Sequence, residues 1–146
     1  MEIKFKKTNK NAVTPKYGTE DSAGADLYVL LNTEKIEIKP HETVMLNTGI
    51  ATQIPKGYVG LIAARSGIAS KQGLAPANKL GVIDSDYTGE IKVPLHNHTE
   101  EVQIIYDKTR VAQLIIAPYV HANFNEVENL DETERGAGGF GSTGTN

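Results

Sequence analysis

The chain has 146 residues, 39% of them hydrophobic and 23% charged, which is typical of one globular domain and excludes a disordered segment. A formal net charge of −3 gives no general attraction for nucleic acid, so we expect no nucleic-acid partner. The absence of cysteine excludes disulfides and zinc deaminases with cysteine ligands. No apolar signal region or membrane-length apolar run is present, so we expect a soluble, intracellular protein of the cytoplasm without a membrane partner.

Short β-branched runs alternate with turn residues along the chain, at intervals of about 8 to 12 residues. This spacing predicts an all-β domain with an antiparallel double sheet. The predicted strands are 26–30, 35–38, 43–51, 58–64, 89–95, 101–106, 111–117 and 119–127. One short helix is predicted over 66–73, because Ser66 can cap its start and Gly73 can end it.

The packed pattern ends near residue 134, where the composition changes to glycine. Glycine exposes backbone N–H groups, and the hydroxyl and guanidinium groups here can donate to anionic oxygens, while one ring can stack on a base. The residues concerned are Arg135, Phe140, Ser142 and Thr143. We therefore predict a domain over 1–134 and a flexible arm over 135–146 that closes on a phosphorylated ligand.

Three polar positions beside predicted strands are candidate functional residues. Arg65-Ser66-Gly67 places a cation, a hydroxyl and free N–H groups at the start of the predicted helix, although this tripeptide is also common in surface turns. Gln113 lies on a buried strand, where its amide needs a partner that is either backbone or ligand. Asp26 either pairs with a buried arginine or caps a turn.

Residues 81–91 read as a hairpin that carries a carboxylate beside the core. Asp84 follows two apolar residues, so we expect it at a strand end, where it could orient or deprotonate a water molecule. Tyr87 could pack on a sugar and leave no room for an additional hydroxyl. His96 and His98 can share one strand face, but without cysteine or a third ligand the sequence predicts no protein-held metal.

Five segments resemble, in order, the five motifs of homotrimeric dUTP pyrophosphatases (dUTPases). They are Ala23 to Tyr28, Arg65 to Gly67, Gly81 to Gly89, Arg110 to Leu114, and Arg135 to Gly144. Five ordered matches over nearly the whole chain are highly specific, so the chain is identified as a member of this family.

The resemblance implies a jelly-roll-like subunit, a homotrimer with active sites at subunit boundaries, and hydrolysis of dUTP to dUMP and pyrophosphate. Asp84 would activate the water that attacks the α-phosphorus, and Tyr87 would lie beneath the deoxyribose and reject ribonucleotides. Mg²⁺ would be held mainly by the triphosphate and by water, with no protein ligand.

The resemblance also assigns substrate contacts. The uracil edge would be read by Asn78 and by backbone groups of Val82, Ile83 and Lys92. The phosphates would be bound by Arg65, Ser66, Gly67 and Gln113. The arm would cover uracil with Phe140 and hold the terminal phosphate with Arg135, Gly141, Ser142 and Thr143. Asp26 would support the arginine at position 65 or the water network.

Two alternatives share this fold. A dCTP deaminase would carry a glutamate where this chain has Val93-Pro94-Leu95, and proline cannot exchange a proton. A catalytically silent regulatory module would have lost reactive positions, whereas Asp84, Tyr87 and Gln113 are present. Thr88 departs from the family, since many members carry arginine there, and this change bears on subunit contacts or affinity.

Overall fold

Strands make up almost all regular structure in the computed structural model, which describes residues 1–139. The strands are β1 (Lys4–Lys7), β2 (Lys16–Tyr17), β3 (Gly24–Tyr28), β4 (Lys35–Ile38), β5 (Thr43–Gln53), β6 (Tyr58–Ala63), β7 (Leu74–Pro76), β8 (Gly81–Ile83), β9 (Glu90–Asn97), β10 (Gln103–Tyr106) and β11 (Arg110–Pro118). The helix α1 (Ser66–Gln72) ends at Gly73, whose φ of 61° is readily adopted by glycine. Within residues 1–139, no helix is long and apolar enough to cross a membrane.

The strands form two larger antiparallel sheets and one two-stranded sheet. Their orders are β1-β5-β9-β7, β2-β3-β11-β6-β8 and β10-β4. This arrangement confirms the predicted all-β, jelly-roll-like double sheet with one short helix.

The hydrophobic core lies between the sheets and is built from the inward-facing residues that alternate with outward-facing ones along the strands. On β9, for example, Ile91, Val93 and Leu95 are fully buried while Lys92 is exposed. Asn97 is also fully buried, and its amide nitrogen donates to the carbonyl oxygens of Ile38, Lys39 and Glu101. A buried amide with these partners stabilises the junction between β9 and the β4–β10 pair.

The predicted strand over 119–127 is wrong, because β11 ends at Pro118 and the following described residues form no strand. The segment is apolar enough to suggest a strand, but no other strand of this chain pairs with it in the described part. Three strands were not predicted: β1, β2 and β7, whereas β8 coincides with the first arm of the predicted hairpin over 81–91. β1 and β2 are exposed and rich in lysine, and β7 has only three residues, so none of them forms an apolar run long enough to mark a strand in the sequence.

Candidate functional site

Sheet register brings two of the predicted anion-binding residues side by side. Gln113 on β11 pairs with Asp26 on β3 at one side and with Ala63 on β6 at the other. Arg65 follows β6 by two residues, so its guanidinium lies at the same end of the sheet. Three strands that are distant in sequence therefore meet at one polar point.

Asp26 anchors two arginines at this point. Arg65 Nε donates to Asp26 Oδ1 at 2.6 Å, and Arg110 Nη1 donates to Oδ2 at 3.2 Å. The Asp26 residue is only 7% exposed, while both guanidinium groups reach the surface. The carboxylate fixes both cations through charge-assisted bonds, and the cluster keeps one positive charge in excess. This geometry resolves the alternatives for Asp26 in favour of an arginine partner.

Arg110 is the site residue that sequence reasoning missed. It lies in the fourth motif-like segment, yet no role followed from its position alone. Its place at the start of β11, opposite Tyr28 on β3, brings it to Asp26. The signal in the sequence was a cation three residues before Gln113, which becomes informative only once the pairing of β3 with β11 is known.

The cluster lines a cavity of about 420 Å³ together with Ser66 and Gln113. Gln113 Nε2 donates to the carbonyl of Ala64 at 2.9 Å, so the backbone supplies its first partner. Gly24 makes this position possible, because an added Cβ there would overlap the Gln113 side chain. A cationic cavity of this size with amide and hydroxyl donors suits a phosphate chain.

Gly67 has open space where a side chain would be. A Cβ added at Gly67 meets nothing within 4 Å, and no side chain caps the start of α1. The packing of this chain therefore does not explain the glycine, whereas close approach of a ligand to the backbone would.

The predicted hairpin over 81–91 is wrong, because its two arms belong to different sheets. β8 pairs with β6, and β9 pairs with β5. The physical reason is at Gly81, where an added Cβ would lie 3.0 Å from Ile62 Cβ, so glycine lets β8 approach β6 closely.

Residues 76–95 instead form a long segment whose two ends are joined by the pairing of β7 with β9, and we call this segment the frame. Pro76 on β7 pairs with Leu95 on β9, and the backbone N–H of Ala77 donates to the Pro94 carbonyl at 2.7 Å. β8 ends its sheet, so in residues 1–139 one edge of its backbone has no strand partner. The residues predicted to read the uracil edge and to lie beneath the sugar are on this frame: Asn78, Val82, Ile83, Tyr87 and Lys92.

The segment between β8 and β9 carries Asp84 and Tyr87. The backbone N–H of Tyr87 donates to the Asp84 carbonyl at 3.1 Å, which holds the segment as a tight turn. Asp84 is exposed and borders an open cavity of about 840 Å³, which Lys56 and Tyr119 also line. A carboxylate in this position is accessible to both water and a ligand.

Within the described part of one chain, the predicted site residues fall into separate groups. Arg65 and Gln113 line one cavity, and Asp84 lines another. The exposed Arg135 lines neither, and its Nε donates to the Gly138 carbonyl at 2.8 Å. The predicted contacts of Phe140, Gly141, Ser142 and Thr143 lie outside the described residues.

No three histidine, aspartate or glutamate side chains between residues 1 and 139 lie close enough to hold a metal ion. The His96 and His98 rings meet edge to face, with 4.5 Å between centroids, and His96 Nδ1 bonds the Thr43 hydroxyl at 2.8 Å. Desolvation, the neighbouring His96 and the charge of Lys79 lower the pKa of His98. These histidines form a polar surface cluster.

Replacing Asp26 with asparagine is expected to lower the stability of the fold and to disturb the cavity lined by Arg65, Ser66 and Gln113. Loss of the charge-assisted bonds to two arginines should lower the free energy of unfolding by about 1–3 kcal/mol, and the released Arg65 should lower kcat/KM roughly tenfold or more. Denaturant titration and steady-state kinetics on the nucleotide substrate proposed below would measure both. Asp21→Asn, at an exposed carboxylate, is the matched control, and an Asp26→Asn variant as active as that control would contradict a positioning role.

Comparison with known proteins gives a consistent result. The family model described as dUTPase matches residues 10–144. The deoxyuridine 5'-triphosphate nucleotidohydrolase of Nautilia profundicola is 50% identical over 144 residues, covering 99% of both chains. The protein of the same name from Escherichia phage T5 is 43% identical, covering 98% of this chain and 99% of its own.

Solved structures of phage dUTPases share the fold. The Staphylococcus bacteriophage 80alpha dUTPase with dUPNHPP superposes with a TM-score of 0.84 at 29% identity, covering 98% of both chains. A mutant dUTPase from phage phi11 of S. aureus, described with a structural Mg(II) ion, superposes with a TM-score of 0.77 at 25% identity, covering 88% of this chain and 98% of its own.

Proposed function

This chain belongs to the dUTPase family and is an enzyme that hydrolyses dUTP, and we propose that it does so at sites shared between the subunits of a homotrimer. The products are dUMP and pyrophosphate. The single observation that carries the shared site is the separation of the phosphate cavity from the Asp84 cavity within one chain.

The exposed segment after β11 supports assembly. Val120, Phe124 and Leu130 are 91%, 96% and 86% exposed, although each is a large apolar residue. Exposed apolar residues on one short segment favour a surface that is covered by another chain. A second and third copy of this chain are the simplest cover, because a closed ring buries the same surface on every subunit.

The frame over 76–95 is proposed to bind uracil and deoxyribose. The β8 edge that has no strand partner within residues 1–139 offers backbone donors and acceptors at Val82 and Ile83, and the amide of Asn78 lies beside Gly81. Backbone groups of Lys92, on β9 in the other sheet, are proposed to add a further contact to uracil. Readout by fixed hydrogen bonds rejects cytosine, because a mismatched donor or acceptor would be buried without a partner. Tyr87 is proposed to pack beneath the sugar.

The cavity with Arg65, Ser66, Gly67 and Gln113 is proposed to hold the phosphate chain that extends from a frame on another subunit. Arg65 and Arg110 neutralise the developing negative charge, and their fixed orientation on Asp26 removes the need for rearrangement during the reaction. Asp84 takes a proton from the water that attacks the α-phosphorus. The arm residues Arg135, Phe140, Gly141, Ser142 and Thr143 are proposed to close the site.

Magnesium is proposed to be bound mainly through triphosphate oxygens and water molecules. The donors of the described cavity fit this mode, because arginine, serine and glutamine bind phosphate oxygens and leave metal coordination to the substrate. When bound, the ion supplies charge neutralisation on the triphosphate. We also place the activity in the cytoplasm, with which a cysteine-free chain is compatible.

The structure gives the deaminase alternative no support. Pro94 stands in the middle of β9, paired with Met45, and offers no side-chain proton to a base. A pyrophosphate-release assay on dUTP, UTP, dCTP and dTTP, run beside an ammonia assay on dCTP, distinguishes the reactions. Pyrophosphate from dUTP alone is the expected result.

The shared site predicts that two inactive variants restore each other. Asp84→Asn and Arg65→Ala remove groups that different subunits are proposed to bring to one site, so random co-assembly in equal amounts should leave both groups intact in about a quarter of all sites, which is about one site in each mixed trimer. Co-expression with two affinity tags, purification over both, and kinetics on dUTP would measure the recovery.

The matched control is a mixture of each variant separately purified and combined without exchange, which should stay inactive. A site contained in one chain would give no recovery in co-assembled trimers. A monomer in sedimentation analysis that retains full dUTP hydrolysis would equally contradict the shared site.

A further inference from the structure

The Tyr87 ring lies directly on the backbone of Gly89. A Cβ added at Gly89 would lie 2.6 Å from Tyr87 Oη and 2.7 Å from Cζ, distances that real Cβ atoms do not show. Gly89 does not have a positive φ, so its backbone conformation does not require glycine. Glycine is required here only because the Tyr87 ring occupies the space that a side chain would fill.

A hydrogen bond fixes the end of the same ring. Tyr87 Oη donates to the backbone carbonyl of Glu90 at 2.8 Å. The hydroxyl end of the ring thus packs against Gly89 and donates to Glu90, although Tyr87 is 44% exposed. An exposed aromatic side chain that is held at two points keeps one orientation at little entropic cost on binding.

The Glu90 side chain anchors this seat to the body of the domain. Its Oε1 accepts from the Gly49 N–H at 2.8 Å, and its Oε2 accepts from the Thr8 hydroxyl at 3.1 Å. Gly49 has a φ of 68° and lies at the irregularity between Asn47 and Ala51 on β5. An added Cβ at Gly49 would lie 2.6 Å from Ala12 Cβ, so the anchor is itself closely packed.

We propose that Gly89 and the Glu90 carbonyl form a seat that fixes the Tyr87 ring, and that Gly89 is thereby a positioning residue for the discrimination between dUTP and UTP. This inference rests on the proposed role of Tyr87 beneath the sugar. The two substrates differ by the 2'-hydroxyl, which a fixed ring excludes and a displaced or mobile ring admits.

Gly89→Ala tests the seat. The added methyl group displaces the ring, so the ratio of kcat/KM for dUTP to that for UTP should fall about tenfold or more. The value of kcat on dUTP should change by less than about threefold, because the substitution leaves the Asp84 side chain in place. Thr88→Ala, at the exposed neighbouring residue, is the matched control and should keep the wild-type ratio.

A double-mutant cycle separates positioning from general damage. Tyr87→Ala should lower the ratio by itself, and adding Gly89→Ala to Tyr87→Ala should change it no further, because Gly89 acts through the ring. If adding Gly89→Ala to Tyr87→Ala lowers the ratio as much as Gly89→Ala lowers it in the wild type, the inference is wrong. If Tyr87→Ala keeps the wild-type ratio, the proposed role of Tyr87 fails first, and the inference fails with it.

Tyr87→Phe provides a second variant that adds no bulk. It keeps the ring but removes the bond to the Glu90 carbonyl, so the ratio should fall about threefold as the tip of the ring is released. Thermal melting of each variant shows whether it is folded. If Gly89→Ala folds and keeps the wild-type ratio of kcat/KM for dUTP to that for UTP, the inference is wrong. If Gly89→Ala does not fold, a wild-type ratio in Tyr87→Phe would overturn the inference instead.

Discussion

Asp84→Asn should lower kcat for dUTP by about 100-fold or more, which is the scale of removing a general base. Asparagine has nearly the same shape as aspartate but cannot accept a proton from water. The affinity for a non-hydrolysable dUTP analogue should stay within about threefold of the wild type, because the side chain acts mainly in the transition state. Single-turnover kinetics and equilibrium titration would measure the two quantities.

Asp86→Asn is the matched control for this variant. Asp86 is exposed, lies two residues away and borders the same cavity, so the substitution removes the same charge from the same turn. We expect its turnover to stay near that of the wild type. Near-normal turnover in Asp84→Asn, or an equal loss in both variants, would remove the catalytic assignment from Asp84.

The sequence predicted strands where a short, β-branched apolar run is bounded by turn residues. Residues 58–64 and 111–117 form such runs, and β6 and β11 lie there. The exposed lysines of β1 and the three residues of β7 do not form such runs, so their pairing could be known only from the strands they contact. The wrong strand over 119–127 has a related cause, because apolar content suggests a buried strand, whereas Val120 and Phe124 are exposed and no described strand pairs with this segment.

The sequence predicted which residues belong to the candidate site, but not how they are arranged in space. Arg65 and Gln113 were recognised separately, whereas their meeting point depends on a register that joins β3, β11 and β6. Arg110 was missed for this reason. The hairpin interpretation of 81–91 failed because the assignment of β8 and β9 to different sheets depends on long-range packing at Gly81 rather than on local turn chemistry.

Removal of residues 136–146 should leave the fold intact and nearly abolish hydrolysis. Within residues 1–139 the buried core ends at Leu114 and the last strand ends at Pro118, and residues 136–139 belong to neither, so we expect an unchanged melting temperature. Loss of the proposed phosphate donors Ser142 and Thr143 and of the Phe140 cover should lower kcat/KM for dUTP by about 100-fold or more, the cost of losing preorganised donors and exclusion of water.

Calorimetry and pyrophosphate release on the truncated protein would test both halves of this prediction. A shorter deletion of residues 145–146 is the matched control, because it spares every proposed contact of the arm and should keep the wild-type rate. Co-expression of the truncated protein with the Asp84→Asn variant gives mixed trimers and extends the test, since an intact arm on one subunit can then serve an intact carboxylate on another. We expect activity in such mixed trimers, absent from either parent, because the arm and Asp84 of one site are proposed to come from different chains. A truncated protein as active as the full chain would refute closure by the arm.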